Sequence, residues 1–189
     1  MRAWLNRMRR ALWRQLFFRM VFGEAGAPHT RIAPSTCIEG EAGLRLADHV
    51  FIGQFNFIDA SAGLSIGEGV QITNFCSIVT HSSHRSIRLL GRAYTSQQAP
   101  VPGYIKGPIE IGPYVFVGPH SLIEANTRIG RGALICAYAQ VRGEVPAFAI
   151  MAGQPARQVG DVRERDAVLL AQHPELAAHY EAWAGELPR

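Results

Sequence analysis

Residues 111–141, IGPYVFVGPHSLIEANTRIGRGALICAYAQV, place an aliphatic residue at every sixth position: Ile111, Val117, Ile123, Ile129, Ile135 and Val141. Upstream the same step joins Ile32 to Ile38, Leu46 to Ile52 and Ile58, and Ile66 to Ile72 and Ile78, with two extra residues between groups. A second pattern is independent of the first. Four residues after each of these fourteen aliphatics stands a small or β-branched residue in thirteen cases, Asn56 being the exception. Glycine often follows the aliphatic directly, as at Gly53, Gly67, Gly112, Gly118 and Gly130. An amphipathic helix needs a 3.6-residue step and tolerates so many glycines poorly. Self-similarity at a fixed short period is instead the mark of a solenoid. Six residues make one short strand and a corner, so three hexads close a triangular coil, and coils stack as parallel strands ~4.8 Å apart. The expected fold is an all-β solenoid, a parallel β-helix of about five coils.

The chain has 189 residues, 48% hydrophobic and 18% charged, which suits a single domain with a sizeable core. Cys37, Cys76 and Cys136 are odd in number and follow no metal-ligand spacing, which reads as reduced thiols in the cytoplasm. The net charge is +4, yet the first 22 residues hold six arginines and no acid, leaving −2 for the remainder (+4 less 6). The body is therefore not expected to bind nucleic acid. In residues 1–24, Leu5, Met8, Leu12 and Leu16 form a stripe at helical spacing, widened by Trp13, Phe17 and Met20, with Arg7, Arg10 and Arg14 roughly opposite. The arginines leave no room for the apolar stretch of a signal peptide, and no run is long enough to span a bilayer. Such a basic amphipathic helix either packs against the body or lies peripherally on an anionic membrane surface.

The six-residue beat stops after Ile78 and resumes at Ile109 or Ile111. The interruption, residues 81–108, begins HSSHRSIR and is too long for a corner. Leu89, Leu90, Tyr94 and Tyr104 favour an ordered flap, and Arg85, Arg88, Arg92 and Lys106 make it basic. His81 and His84 stand at its root, and histidine is the side chain whose ordinary pKa suits proton transfer near neutrality. After Gly160, residues 161–189 read as two helices broken before Pro174, with Asp161 as an N-cap, and they are expected to cap the solenoid.

The segment from Ile111 through EVPAFAIMAGQPARQV (144–159) resembles the C-terminal half of hexapeptide-repeat acyltransferases, in particular sugar O-acetyltransferases and xenobiotic acetyltransferases. The resemblance covers about residues 30–160 and implies a left-handed β-helix, residues 25–160 forming the catalytic domain. It implies acetyl-CoA as donor, no metal, and a homotrimer with active sites between subunits. It also implies transfer of acetyl to a hydroxyl of a sugar or polysaccharide precursor, with a histidine at the root of the loop as general base. SSHR matches the family pattern at His84, and THSSHR matches a variant of it at His81; His84 is the first choice and His81 the alternative. The loop residues Arg85, Arg88, Arg92, Tyr94, Tyr104 and Lys106 would select the acceptor. For the donor, the resemblance points to Gly118, Ala137 and Ala139 along the pantetheine arm and to Gln154, Pro155, Ala156 and Arg157. Here Arg142-Gly143-Glu144 replaces the family's usual Thr-Lys-Asp, so Arg142 would take over the lysine's contact, and Phe116 replaces a common tryptophan. Three other readings remain: an antibiotic O-acetyltransferase, a zinc enzyme like the carbonic anhydrases of this fold using His81, His84 and His120, and a non-catalytic scaffold.

Overall fold

The computed structural model describes residues 2–17, 21–22 and 26–185. Three parallel sheets run along the solenoid. The first face stacks Arg31–Ile32, Phe51–Ile52, Gln71–Ile72, Phe116–Val117, Leu134–Ile135 and Ala149–Gly153. The second stacks Cys37–Glu39, Phe57–Asp59, Ser77–Val79, Leu122–Ile123 and Gln140–Val141, and the third Leu44–Leu46, Leu64–Ile66, Ile109–Ile111, Thr127–Ile129 and Glu144–Val145.

The register follows the aliphatic beat. Ile32 pairs with Ile52, Ile52 with Ile72, Ile72 with Val117 and Val117 with Ile135 on the first face. Ile38, Ile58, Ile78, Ile123 and Val141 form the matching ladder on the second. Leu46, Ile66, Ile111, Ile129 and Val145 form it on the third. From Ile52 to Val141, these sixth-position aliphatics are buried and share one core. The early coils therefore advance by twenty residues and the later ones by eighteen, the two extra residues being absorbed at corners.

Asn56, the exception in the second pattern, is buried but fully used. Its Nδ2 donates to the carbonyls of Gly53 and Thr73, and its Oδ1 accepts the Cys76 amide at 2.7 Å. A buried amide of this kind is tolerable because each polar atom finds a partner. Corners turn through left-handed residues, among them Phe55, Phe75, His120 and Tyr138, with φ between 57° and 61°. Along one corner these four rings stack at 5.2, 5.0 and 4.8 Å. Ring–ring contact offsets part of the cost of holding non-glycine residues in that conformation.

Both edges of the first face are blunted by antiparallel strands. Val21–Phe22 pairs with Arg31–Ile32, and Ala156–Asp161 folds back on Ala149–Gly153. Pairing an edge removes its free amides and carbonyls. Two C-terminal helices, Val162–Gln172 and Ala177–Ala184, follow, and the Asp161 carboxylate caps the first by accepting the Arg163 amide. They lie against a corner: Trp183 packs on Tyr114 and Phe148, and its carbonyl accepts from Arg131. At the C-terminal end of the solenoid the strand Ala156–Asp161 covers the edge of the first face.

The N-terminal helix, α1 (Arg2–Phe17), presents Trp4, Leu5, Met8, Leu12, Trp13 and Leu16 as exposed side chains. Of the residues assigned to its stripe and its basic face, Met20 lies outside the described residues, as do the side chains of Arg14 and Phe17. Among the described residues, no helix is long and apolar enough to cross a membrane.

Candidate active site

The insertion leaves the second face one residue after Val79 and returns at Gly107, whose amide donates to the Thr80 carbonyl. Its root is a short antiparallel ladder in which His81 faces Lys106 and Ser82 faces Ile105. Beyond the root comes a helix, α2 (His84–Leu90), then a 3-10 turn at Gly91–Ser96. The buried Ser86 hydroxyl donates to the Pro102 carbonyl and ties the two arms together. The flap is thus an ordered structure built on the catalytic candidates themselves.

The two histidines have different surroundings. His81 Nδ1 lies 2.8 Å from Asp59 Oδ2, and Asp59 is 1% exposed. Asp59 sits one coil below, beside Val79 in the ladder. Its carboxylate also accepts the Thr80 amide at 3.0 Å, the Thr80 hydroxyl at 2.5 Å and the Ser61 amide at 2.9 Å. Burial alone would raise its pKa, but the hydrogen bonds from Thr80 and Ser61 outweigh it and hold the carboxyl well below the usual range. An anion at that place keeps the His81 proton on Nδ1 and leaves Nε2 with its lone pair. Tyr104, from the returning arm, stacks on the His81 ring at 5.7 Å. Burial, Tyr94 and the Asp59 charge together push the Tyr104 phenol up, so it stays neutral.

His84 is the exposed first residue of α2, and its Nδ1 is 2.8 Å from the Ser82 hydroxyl. A hydroxyl orients an imidazole but supplies no charge to stabilise its protonated form. Both histidines border a cavity of about 460 Å³ whose other walls include Leu122, Glu124, Gln140 and Arg142. Gln140 Nε2 donates to Glu124 Oε1 within this lining. The arrangement can take a proton at His81 Nε2 beside an acid, an amide and a cation able to orient a hydroxylated ligand.

The remaining candidates divide. Arg142 lines this cavity instead of the 153–156 turn. Arg85, Arg88, Arg92 and Lys106 are exposed and do not line it, while Tyr94 is half-buried within the flap. Gly118 is buried, and a Cβ there would stand 2.6 Å from the Ala137 amide nitrogen; the glycine serves coil stacking. The Ala139 side chain belongs to the core, so it cannot line a surface groove. Ala137 is exposed at a corner. Gln154, exposed, reaches from the terminal hairpin turn to the Tyr138 carbonyl at 2.7 Å, Pro155 follows it on the surface, Ala156 is buried, and Arg157 is exposed. His120 stacks between Phe75 and Tyr138. Among the described residues the one group of ligand side chains close enough to share an ion is His29, Asp48 and His49, so His81, His84 and His120 do not converge within one chain.

Asp59, Thr80, Glu124 and Gln140 were not singled out by sequence. An acidic residue directly after an inward-pointing aliphatic, in Ile58-Asp59, is a signal that could have drawn attention to Asp59, although Ile38-Glu39 and Ile123-Glu124 share it.

No protein-family profile matches the chain. A probable acetyltransferase of Mycobacterium tuberculosis is 32% identical over 140 residues, which is 73% of this chain and 44% of that protein. Galactoside O-acetyltransferase of Escherichia coli is 29% identical over 105 residues, 54% of this chain and 46% of that protein. The chain thus spans less than half the length of these curated relatives. A hexapeptide-repeat acetyltransferase of Vibrio cholerae, solved with acetyl coenzyme A, superposes with a TM-score of 0.60 at 27% identity, covering 82% of this chain and 77% of that one. With the six-residue ladders and three parallel faces, these similarities make the chain a left-handed parallel β-helix of the hexapeptide-repeat acyltransferase type.

Proposed function

We propose that the chain transfers an acetyl group from acetyl-CoA to a hydroxyl of a sugar or polysaccharide precursor, with His81 as general base. The observation that carries this reading is the buried Asp59 bonded to His81 Nδ1 at the wall of the cavity. The acceptor O–H gives its proton to His81 Nε2 as the oxygen attacks the thioester carbonyl. The C–S bond then breaks, and the imidazolium returns the proton to the departing sulfur, so the enzyme ends unchanged. Asp59 stabilises the imidazolium between the two transfers. His84, the more exposed of the two, is assigned to orienting the acceptor. The similarity to galactoside O-acetyltransferase supports a sugar. Donor contacts are assigned to the exposed Ala137, Gln154, Pro155 and Arg157, with Arg157 facing phosphate.

The stacked and exposed corner rings of Phe55, Phe75, His120 and Tyr138 support a contact between subunits of a homotrimer; light scattering on the purified chain tests this directly. The exposed apolar side of α1 together with its arginines supports peripheral contact with an anionic bilayer on the cytoplasmic side. Equal flotation with vesicles, with and without residues 1–22, would remove that assignment.

The transfer is tested by incubating the chain with acetyl-CoA and a panel of sugars, glycan precursors, serine and hydroxylated antibiotics, reading coenzyme A release and product mass. A sugar product supports the proposal. An antibiotic product supports the alternative acceptor class, and release no faster than in buffer across the panel overturns the transferase reading.

A further inference from the structure

The first coil carries a second cluster that shares no residue with the transferase cavity. His29, at the entry to the solenoid, meets Asp48 and His49 at a corner. Asp48 Oδ1 accepts the backbone amides of His29 at 2.7 Å and His49 at 2.8 Å. These two bonds fix the carboxylate and turn Oδ2 toward the imidazoles, 2.7 Å from His29 Nδ1 and 3.8 Å from His49 Nε2. The corner therefore presents a fixed carboxylate and two imidazoles, with all ligand atoms within 4.8 Å of one another.

We propose that His29, Asp48 and His49 form a binding site for a borderline divalent transition cation, of which Zn²⁺ is the representative. Two imidazoles and a carboxylate suit Zn²⁺, Ni²⁺ or Cu²⁺ better than the oxygen-seeking Mg²⁺ or Ca²⁺. Three protein ligands leave the remaining positions to water. The two amides on Asp48 Oδ1 serve as the outer partners that hold a ligating carboxylate in place. In the structure the rings stack 4.5 Å apart with planes 2° from parallel. Parallel rings cannot both aim a lone pair at one ion, so binding turns one of them. Both side chains have room to turn, being 64% and 56% exposed. The ion would join the residues just before the strands Arg31–Ile32 and Phe51–Ile52, fastening the first coil to the second at an end of the solenoid. Its role is structural, and binding only the folded chain it raises stability by mass action.

The test uses the full chain stripped of metal. Zn²⁺ is titrated in competition with a chromogenic chelator, for the wild type and for His29→Ala, Asp48→Asn and His49→Asn. Asparagine retains the oxygen that the two amides need at 48 and accepts the left-handed backbone of His49 (φ 59°). The expected result is one Zn²⁺ per chain, weakened at least about tenfold by each substitution, and unchanged in a His81→Ala/His84→Ala variant. Equal binding by wild type and the three site variants overturns the proposal, as does no binding by the wild type. In case a variant fails to fold, the wild type alone also decides: Zn²⁺ must protect His29 and His49 from diethylpyrocarbonate, mapped by mass spectrometry. Unprotected His29 and His49 at saturating Zn²⁺ overturn it too.

Discussion

Replacing Asp59 by asparagine tests the catalytic geometry at its most constrained point. In the wild type, Oδ2 accepts from three donors, the Thr80 amide, the Thr80 hydroxyl and His81 Nδ1, while Oδ1 accepts the Ser61 amide. Asparagine can place its oxygen at only one of these two sites. With the oxygen kept toward Thr80 and His81, the new NH₂ faces the Ser61 amide, donor against donor. With the amide flipped, NH₂ faces the Thr80 amide and His81 Nδ1, which then accepts, and the imidazole proton moves to Nε2, where the base must be free. Either orientation leaves a buried polar group unsatisfied, at a cost of about 1–3 kcal/mol in stability. The first also removes the negative charge that stabilises the imidazolium, and the second removes the base. The expected loss in kcat is roughly 10²–10⁴-fold, the range ascribed to general-base catalysis. The KM for acetyl-CoA should change little, since Asp59 is buried away from the surface. The assay is coenzyme A release with the best acceptor of the panel, alongside denaturant unfolding to confirm a folded variant. A folded Asp59→Asn protein with kcat within about threefold of wild type would refute the reasoning, because an effect that small is far below the range for general-base catalysis.

Further outcomes follow from the same structure. His81→Ala should lose kcat by roughly 10²–10⁴-fold, whereas His84→Ala should act mainly on the acceptor KM; the reverse pattern would transfer the base to His84. Because hydrogen bonds lower the folded-state pKa of Asp59, the stability it contributes is complete above the ordinary value of 3.8 and lost as pH falls below that value and through the folded one. Melting temperature should thus fall on acidification below about pH 4 more steeply in wild type than in Asp59→Asn; parallel curves would contradict this. Ile123→Ala, at a fully buried rung of the second face, should cost about 2–5 kcal/mol in denaturant unfolding.

The fold was legible because a solenoid writes its geometry into sequence at short range. Each coil contacts only its neighbours, so the inward rung repeats at the coil's own period, and the pairs Ile111 with Ile129 and Ile123 with Val141 follow by counting eighteen. Even the insertion was visible, since Ile78 still pairs with Ile123 across it. The site was only partly legible. The His81–Asp59 contact joins residues 22 apart through coil stacking plus a bend at the flap root, and no local spacing encodes it. Motif matching weighed the two histidines by their neighbours in sequence, whereas the buried carboxylate comes from the coil beneath. Small residues are ambiguous for a related reason: the neighbouring coil crowds Gly118 and the core encloses Ala139, and a family pattern cannot separate those causes from the close approach of a ligand. The C-terminal helices were visible, but their docking on the Tyr114–Phe148 corner depends on Trp183, a contact between residues far apart in the chain.

The central claim is that this β-helix handles an acetyl thioester, and calorimetric titration of the metal-free chain with acetyl-CoA tests it without any choice of acceptor. The account predicts saturable binding with a dissociation constant from micromolar to low millimolar, roughly −8 to −4 kcal/mol, retained in His81→Ala and weakened in Arg157→Ala. No saturable binding by the folded wild-type chain would contradict it.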